Sequence, residues 1–281
     1  MLNQPVRNDN QKPIGIFDSG VGGLSVLREI RRQMPEESII YFGDQGHVPY
    51  GPRSLQQVRD FSEGITRYLL DKGAKLIVVA CNAASAAALT YLRETFSNIS
   101  FVGMEPAVKP AAEHTETGVV GVLATPATFQ GKLYASVVER FAADVRLLQS
   151  TCPGLVQQIE LGELESPETR AILEYALRPM LEQNIDTVVL GCTHYPFVIP
   201  LIQQIVGEKI RVIDAAPAVA RQAKRLLDAV GSKAPVGGCG DVQYFTSGDV
   251  KALKTLLPNL MVNATSVSGL KWEGDRVLKL P

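Results

Sequence analysis

Short β-branched runs recur along this chain, several of them apolar from end to end, with helix-length stretches between them. They are IGIF (14–17), SIIYFG (38–43), LIVVA (76–80), GVVGVLA (118–124), TVVLG (187–191) and RVID (211–214). A strand with no polar face has to be covered on both sides, which is the situation of a parallel sheet between helices. Helix-length stretches occupy 54–72, 83–96, 128–143, 167–183 and 217–230. Steady alternation of this kind predicts an α/β protein, with parallel sheets inside and helices outside.

Composition narrows the class. A chain of 281 residues can bury a sizeable core, as one large domain or two smaller ones. With 46% apolar residues, 20% charged residues and a formal net charge of -1, it carries no electrostatic footprint for nucleic acid or an anionic membrane. No uninterrupted apolar run approaches the roughly 20 residues that a membrane helix needs. The opening MLNQPVRNDNQKP (1–13) lacks the apolar core of a signal peptide and is expected to be a loose tail. The simplest expectation is a cytoplasmic protein. Cys81, Cys152, Cys192 and Cys239 show no C-x-x-C pair and no zinc-ligand spacing, so no metal is expected. The default is four free thiols, most of them buried as small hydrophobes.

A degenerate internal repeat overlies the alternation. LLDKGAKLIVVAC, ending at Cys81, lies over MLEQNIDTVVLGC, ending at Cys192, without a gap. Upstream, GIFDS (15–19) has a partner of similar make in GVLAT (121–125). Chance likeness of two α/β units is one reading. The other is two lobes, each presenting a cysteine just past the carboxyl end of a strand, where open α/β sheets bind ligands.

The loop GIFDSGVGGLSV (15–26) has the look of a nucleotide site and lacks its parts. Its glycines do not complete G-x-G-x-x-G, no P-loop lysine follows, and Asp18 at its mouth would repel a phosphate. Glycines before a helix still offer N–H groups to a smaller anion such as a carboxylate. In VVACNAAS, Cys81 stands near a helix N-terminus, which favours a thiolate, although a buried structural cysteine is the competing reading. Asn82 beside it can bind a ligand or cap the helix. GCTHYP is more specific, since His194 two residues from Cys192 can stabilise a thiolate or pass it a proton. FGDQGHVPYG (42–51) reads as a loop at the sheet edge with Tyr50 as a hydroxyl donor. His47 and His114 read as surface or structural residues, and Cys239 as packed in a turn.

Taken together, GIFDSGVGG, FGD followed by PYG, VVACN, VGMEPAVKPAA, CPGLVQQIE and DTVVLGCTHYPFV resemble the glutamate racemases of the cofactor-independent aspartate/glutamate racemase superfamily. The matches run in family order over roughly residues 14–230. The resemblance implies two α/β lobes related by a pseudo-twofold, each a mostly parallel sheet flanked by helices, with the active site between them. The carboxyl-terminal segment would return to the first lobe, giving 1–105 plus 217–281 and 106–216.

Inverting an amino acid at Cα requires removing a proton from one face and returning one to the other, so two acid/base groups are the direct solution. Those groups would be Cys81 and Cys192, with Cys81 acting on D-glutamate and Cys192 on L-glutamate by resemblance. Asp18 would tune Cys81, and His194 would tune Cys192. Substrate contacts implied are Asp18, Ser19, Tyr50, Gly51, Asn82, Ala83, Thr193 and His194, with Glu160 secondary. No cofactor is implied, and no residue context argues for pyridoxal phosphate, so fixed dipoles in a dry cleft must stabilise the carbanion. The family reads Cys-Asn-Thr where this chain has Cys81-Asn82-Ala83, which removes one side-chain donor.

The implied role is supply of D-glutamate for peptidoglycan, with a small-molecule substrate and no nucleic-acid or membrane partner. Oligomeric state stays open, a homodimer included. The rivals are another enzyme of the superfamily, such as an aspartate racemase, a hydantoin racemase or a maleate isomerase, and a non-catalytic binding protein on the same scaffold.

Overall fold

Every residue of the first strand, β1 (Ile14–Asp18), is buried, with Ile14 and Ile16 packed in one apolar cluster and Phe17 in another. In this computed structural model, which describes residues 9–261, 266–274 and 277–279, the strand accordingly lies inside a sheet. It is followed by α1 (Leu24–Gln33), β2 (Ile39–Gly43), α2 (Leu55–Asp71), β3 (Leu76–Val79), α3 (Asn82–Thr95) and β4 (Ser100–Val102). The next stretch runs α4 (Val108–His114), β5 (Val119–Ala124), α5 (Pro126–Gln130), α6 (Lys132–Phe141) and β6 (Arg146–Ser150). It continues through α7 (Leu155–Glu160), α8 (Pro167–Leu181), β7 (Thr187–Gly191), α9 (Ile199–Val206) and β8 (Arg211–Ile213). Last come α10 (Ala216–Ala229), β9 (Val242–Thr246), α11 (Val250–Leu260), β10 (Val267–Gly269) and an antiparallel pair, β11 (Lys271–Glu273) with β12 (Val277–Lys279).

The two large sheets have strand orders β10-β9-β2-β1-β3-β4 and β6-β5-β7-β8. All of their pairings are parallel. Without β9 and β10, the first sheet has the same order as the second, β1 answering to β5 and β3 to β7. The repeat seen in the sequence is therefore a repeat of topology. In each sheet the chain reverses its winding between the paired strands β1 and β3, or β5 and β7. Carboxyl ends at such a point leave a crevice between diverging loops.

Three apolar clusters cover the sheets. Phe17, Ile77 and Val79 pack one face of the first sheet beneath α2 and α3, with Ile65 and Ala88 among their partners. Val120, Val122 and Val189 pack one face of the second with Val108 of α4 and Val137 of α6. The remaining faces share one continuous cluster, from Ile14 and Val78 through Val21 and Leu24 to Val188 and Leu190. The lobes thus meet over a packed core.

The structure differs from the sequence expectation in several elements. β4, β6, β9 and β10 were not among the expected strands; β6 (RLLQS) is an edge strand with no fully buried residue, so it lacks the apolar signature. The helix expected over 128–143 is two helices broken at Gly131, whose backbone is extended (φ -73, ψ 138). A Cβ there would come within 2.8 Å of the Ala86 Cβ, so the break sits where α3 presses against this segment. Of the expected tail, residues 1–8 lie outside the described residues. Asp9–Gln11 form a single 3-10 turn, and Lys75 Nζ donates to the Asn10 carbonyl at 2.9 Å.

Candidate active site

Asp18 ends β1, Cys81 lies just past β3, Thr125 follows β5 and Cys192 follows β7. These are the carboxyl ends at the two switch points, and they border one narrow cleft. Its walls include Ser19, Tyr50, Gly51, Cys81, Asn82 and Ala83 from one lobe, and Thr125, Cys192, Thr193 and His194 from the other. Pro49, Val156 and Gly191 complete the lining. Asp18 and Glu160 stand behind this surface rather than on it. Both cysteines are buried, at 4% and 7% exposure for Cys81 and Cys192.

The glycine loop has a different job from the one its composition suggests. Gly20 and Gly23 donate their N–H groups to Asp18 Oδ2 at 3.2 and 3.0 Å. Val21 donates to Glu160 Oε1 at 2.7 Å. The loop therefore binds two carboxylates belonging to the protein itself, and the expectation that these N–H groups wait for a ligand is corrected. The glycines also make room. A Cβ at Gly20 would lie 1.9 Å from Glu160 Oε1, and one at Gly22 would lie 2.4 Å from His194 Nδ1.

Cys81 is the N-cap of α3, and its sulfur accepts from the Ala84 N–H at 3.5 Å. That settles the alternative for Asn82, which is the first helical residue and not the cap. Burial, then the Asp18 charge, push the Cys81 thiol well above its ordinary value, outweighing the N–H groups near it. Here burial and Asp18 overturn the expectation that the helix end favours a thiolate. Burial likewise raises Asp18, against the pull of His194.

Cys192 has other company. Its sulfur is 3.8 Å from His194 Nδ1, and His194 Nε2 is 2.6 Å from Glu160 Oε1. Burial opposes charge on both ring and carboxyl, yet their mutual bond reverses it. His194 is raised well above its ordinary value by Cys192 and Glu160, while Glu160 is lowered mainly by His194 and the Val21 N–H. The pair is an imidazolium on a carboxylate, aimed at a sulfur.

One sulfur from each lobe on one cleft is the constellation that two-sided proton transfer at a single carbon requires. Residues 14–223 match the family described as Asp/Glu/Hydantoin racemase. This chain belongs to that racemase family.

Among relatives, the chain is 49% identical to a glutamate racemase from Ectopseudomonas mendocina over 254 residues, 90% of this chain and 96% of that one. Among solved racemase structures, a glutamate racemase isoform from Bacillus anthracis superposes with a TM-score of 0.82 at 33% identity, covering 92% and 97% of the two chains. A Francisella tularensis glutamate racemase solved in complex with D-glutamate gives a TM-score of 0.79 at 26% identity, again covering 92% and 97%.

Within this racemase site, several donors are already engaged. Tyr50 donates its hydroxyl proton to Asp44 Oδ2 at 2.6 Å, and Thr193 donates to Asp18 Oδ1 at 3.2 Å. Tyr50 therefore faces the cleft without the free donor expected of it. Asn82 is the reverse case: it is 5% exposed, and neither its Oδ1 nor its Nδ2 has a partner among the described residues. Two unpartnered amide atoms on a cleft wall, at the first turn of α3, suit a ligand carrying carboxylate and ammonium groups. Ala83 follows on the same wall and offers a methyl group there.

Three participants escaped the sequence reading. Thr125 was legible, because the repeat sets GVLAT on GIFDS and so places Thr125 opposite Ser19. Asp44 accepts from Tyr50, from Ser247 Oγ at 2.5 Å and from Trp272 Nε1 at 2.9 Å, and it meets His47 at 3.0 Å. Gln45 donates to Glu160 Oε2 at 2.9 Å. Ser247, Trp272 and Glu160 are distant in sequence from Asp44 and Gln45, and no local pattern announces them. Cys239 needs the opposite correction, for it is exposed rather than packed, with Arg31 Nη2 at 3.4 Å.

Proposed function

We propose that this chain is a glutamate racemase, interconverting L- and D-glutamate by proton removal and return at Cα. The observation that carries the reading is the pair Cys81 and Cys192, supplied by different lobes to one cleft. Similarity to glutamate racemases over nine-tenths of the chain supports glutamate as the substrate. In the mechanism, one sulfur takes the Cα proton as thiolate while the other delivers a proton as thiol, and the roles exchange for the opposite enantiomer. Cys81 acts on D-glutamate and Cys192 on L-glutamate. His194, charged against Glu160, stabilises a thiolate at Cys192 or returns its proton. Asp18 beside Cys81 favours the thiol there, so that sulfur is a proton donor at rest and a base once the substrate ammonium enters.

Asn82, Ser19, Gly51, the Ala83 N–H and Thr193 hold the carboxylates, and removal of water from the cleft strengthens their hold on the carbanion. The division into 1–105 plus 217–281 and 106–216 belongs to this reading, supported by the strands each sheet contains. So does a cytoplasmic location, with which four free cysteines are consistent. Among the described residues no helix is long and apolar enough to cross a membrane. Oligomeric state stays open, a homodimer included, and sedimentation velocity measures it. The product is expected to supply D-glutamate for peptidoglycan. One assay tests the reading: purified protein and L-glutamate, no added cofactor, with D-glutamate followed by chiral chromatography. Formation of D-glutamate supports it, and its absence alongside turnover of aspartate or a hydantoin moves the chain to a rival activity.

A further inference from the structure

Glu160 is bound on both oxygens, and the two sets of partners differ. Its Oε1 receives His194 Nε2 at 2.6 Å and the Val21 N–H at 2.7 Å. Its Oε2 receives Gln45 Nε2 at 2.9 Å. The terminal torsion of a glutamate is broad and roughly two-fold, so nothing intrinsic fixes the plane of the carboxylate. A donor on the second oxygen does. With Oε2 held by Gln45, Oε1 keeps its lone pairs on the imidazole and on the glycine loop.

The amide of Gln45 is itself oriented. Thr246, fully buried at the end of β9, donates its hydroxyl to Gln45 Oε1 at 2.9 Å. Thr246 Oγ1 in turn accepts the Gly248 N–H at 2.9 Å. A flipped amide would set its oxygen against the Glu160 carboxylate, losing that bond, and would take from the Thr246 hydroxyl proton the acceptor it has here. The orientation thus runs from the backbone at Gly248 through Thr246 and Gln45 to Glu160. From there it passes to His194 and the Cys192 sulfur, 3.8 Å from Nδ1.

We propose that Gln45 is a positioning residue for racemisation, holding the Glu160 carboxylate in the plane that keeps His194 aimed at Cys192. The proposal rests on the two-thiol racemase reading. Gln45 does not line the cleft, so it acts through Glu160 and not on the substrate. It also joins the lobes, since Gln45 and Thr246 belong to the first sheet's lobe and Glu160 to the second. The relay is complete only while these lobes are in contact.

The test is a double-mutant cycle of Gln45→Met, which keeps length and removes the amide, against Glu160→Gln. Each protein is assayed for kcat and KM in both directions, and Cys192 alkylation by iodoacetamide is followed against pH by peptide mass spectrometry. Besides Gln45, the groups facing Glu160 are His194 and the Val21 N–H, with Asp18 and Tyr41 acting at longer range.

Gln45→Met is expected to lower kcat/KM about tenfold, the scale of one hydrogen bond to a charged group. It should also shift the alkylation profile of Cys192. On the Glu160→Gln background both effects should vanish, because positions acting as one unit are not additive. Thr246→Val, which frees the amide to turn over, should reproduce part of the loss. A Gln45→Met protein that matches the parent in rate and alkylation, or whose effect persists undiminished without Glu160, overturns the proposal. If the parent does not racemise glutamate, the racemase reading fails instead, and the alkylation profile still decides whether Gln45 acts on Cys192.

Discussion

Thr193 Oγ1 donates to Asp18 Oδ1 across 3.2 Å, so the residue after one candidate thiol is tied to the carboxylate beside the other. Ser25 Oγ strengthens the tie by donating to the Thr193 carbonyl at 3.0 Å. Cys81 and Cys192 are thereby held in one polar frame, and displacement of either lobe disturbs both.

The two sulfurs should be separately indispensable. Cys81→Ala and Cys192→Ala are each expected to lose roughly 10²–10⁴-fold or more in kcat, the range of a positioned acid or base. Chiral chromatography of the product measures this. Near-parental turnover by either variant removes the two-thiol scheme.

Solvent hydrogen should enter the product. L-Glutamate turned over in heavy water should give D-glutamate carrying deuterium at Cα, read by mass spectrometry. A D-product that keeps its original hydrogen rules out exchange with solvent-derived protons on the opposite sulfur.

Glycine is required at position 20 by what crosses it. Gly20→Ala sets a Cβ 1.9 Å from Glu160 Oε1, so the carboxylate must leave His194. Overpacking of this kind costs about 1–3 kcal/mol, and the displaced ion pair should lower kcat at least about tenfold. Gly238→Ala, where an added Cβ meets nothing within 4 Å, is the control, and it should be neutral in both thermal unfolding and rate.

Activity should show no ionisation near 6.5, the ordinary value for histidine. His194 stays charged above that pH because its bonds to Cys192 and Glu160 outweigh burial, and Glu160 stays ionised below 4.5 chiefly because of His194. The acid inflection due to Glu160 should therefore lie below 4.5. Glu160→Gln should bring an inflection toward neutrality, since burial then lowers the His194 pKa with less opposition. The linked stability has opposite signs at the two ends. The Glu160 share is present above 4.5 and is lost as pH falls through its lowered folded value. The His194 share is full below 6.5 and is lost as pH rises through its raised folded value. Both are full between those ordinary values, where chemical denaturation should find the pair's largest contribution.

Restoring a hydroxyl beside Asn82 should tighten substrate binding. Ala83→Thr is expected to lower KM for glutamate up to about tenfold with little change in kcat, as a uniform gain in binding does. An unchanged KM would mean that the Ala83 N–H and Asn82 already suffice.

How much of this was legible in the sequence depends on the range of the interaction. β1, β3, β5 and β7 announce themselves because both of their faces are apolar, a local property of four to six residues. β6 does not, because an edge strand keeps a polar side. The split at Gly131 reflects a neighbouring helix, which periodicity along one segment cannot register. In the site, the cysteines and His194 could be read from short motifs. The work of the glycine loop could not, because the carboxylate on the Val21 N–H comes from 139 residues away. Nor could the state of Cys81: a helix N-terminus argues for a thiolate, and only burial beside Asp18 reverses the sign. Family resemblance supplied Glu160 as a secondary position, whereas its partners Gln45 and Val21 emerge from geometry alone.

The return of the chain to its first sheet sets a timetable for synthesis. Until residues 242–246 leave the ribosome, β2 is a bare edge with an unpaired row of N–H and C=O groups, open to adventitious pairing with another chain. Thr246, which fastens Gln45, completes that strand, and Ser247 and Trp272, which fasten Asp44, are made later still. A nascent chain carrying both cysteines is thus expected to stay inert until Trp272 is translated, and truncations before it that spare every cleft residue should still abolish turnover.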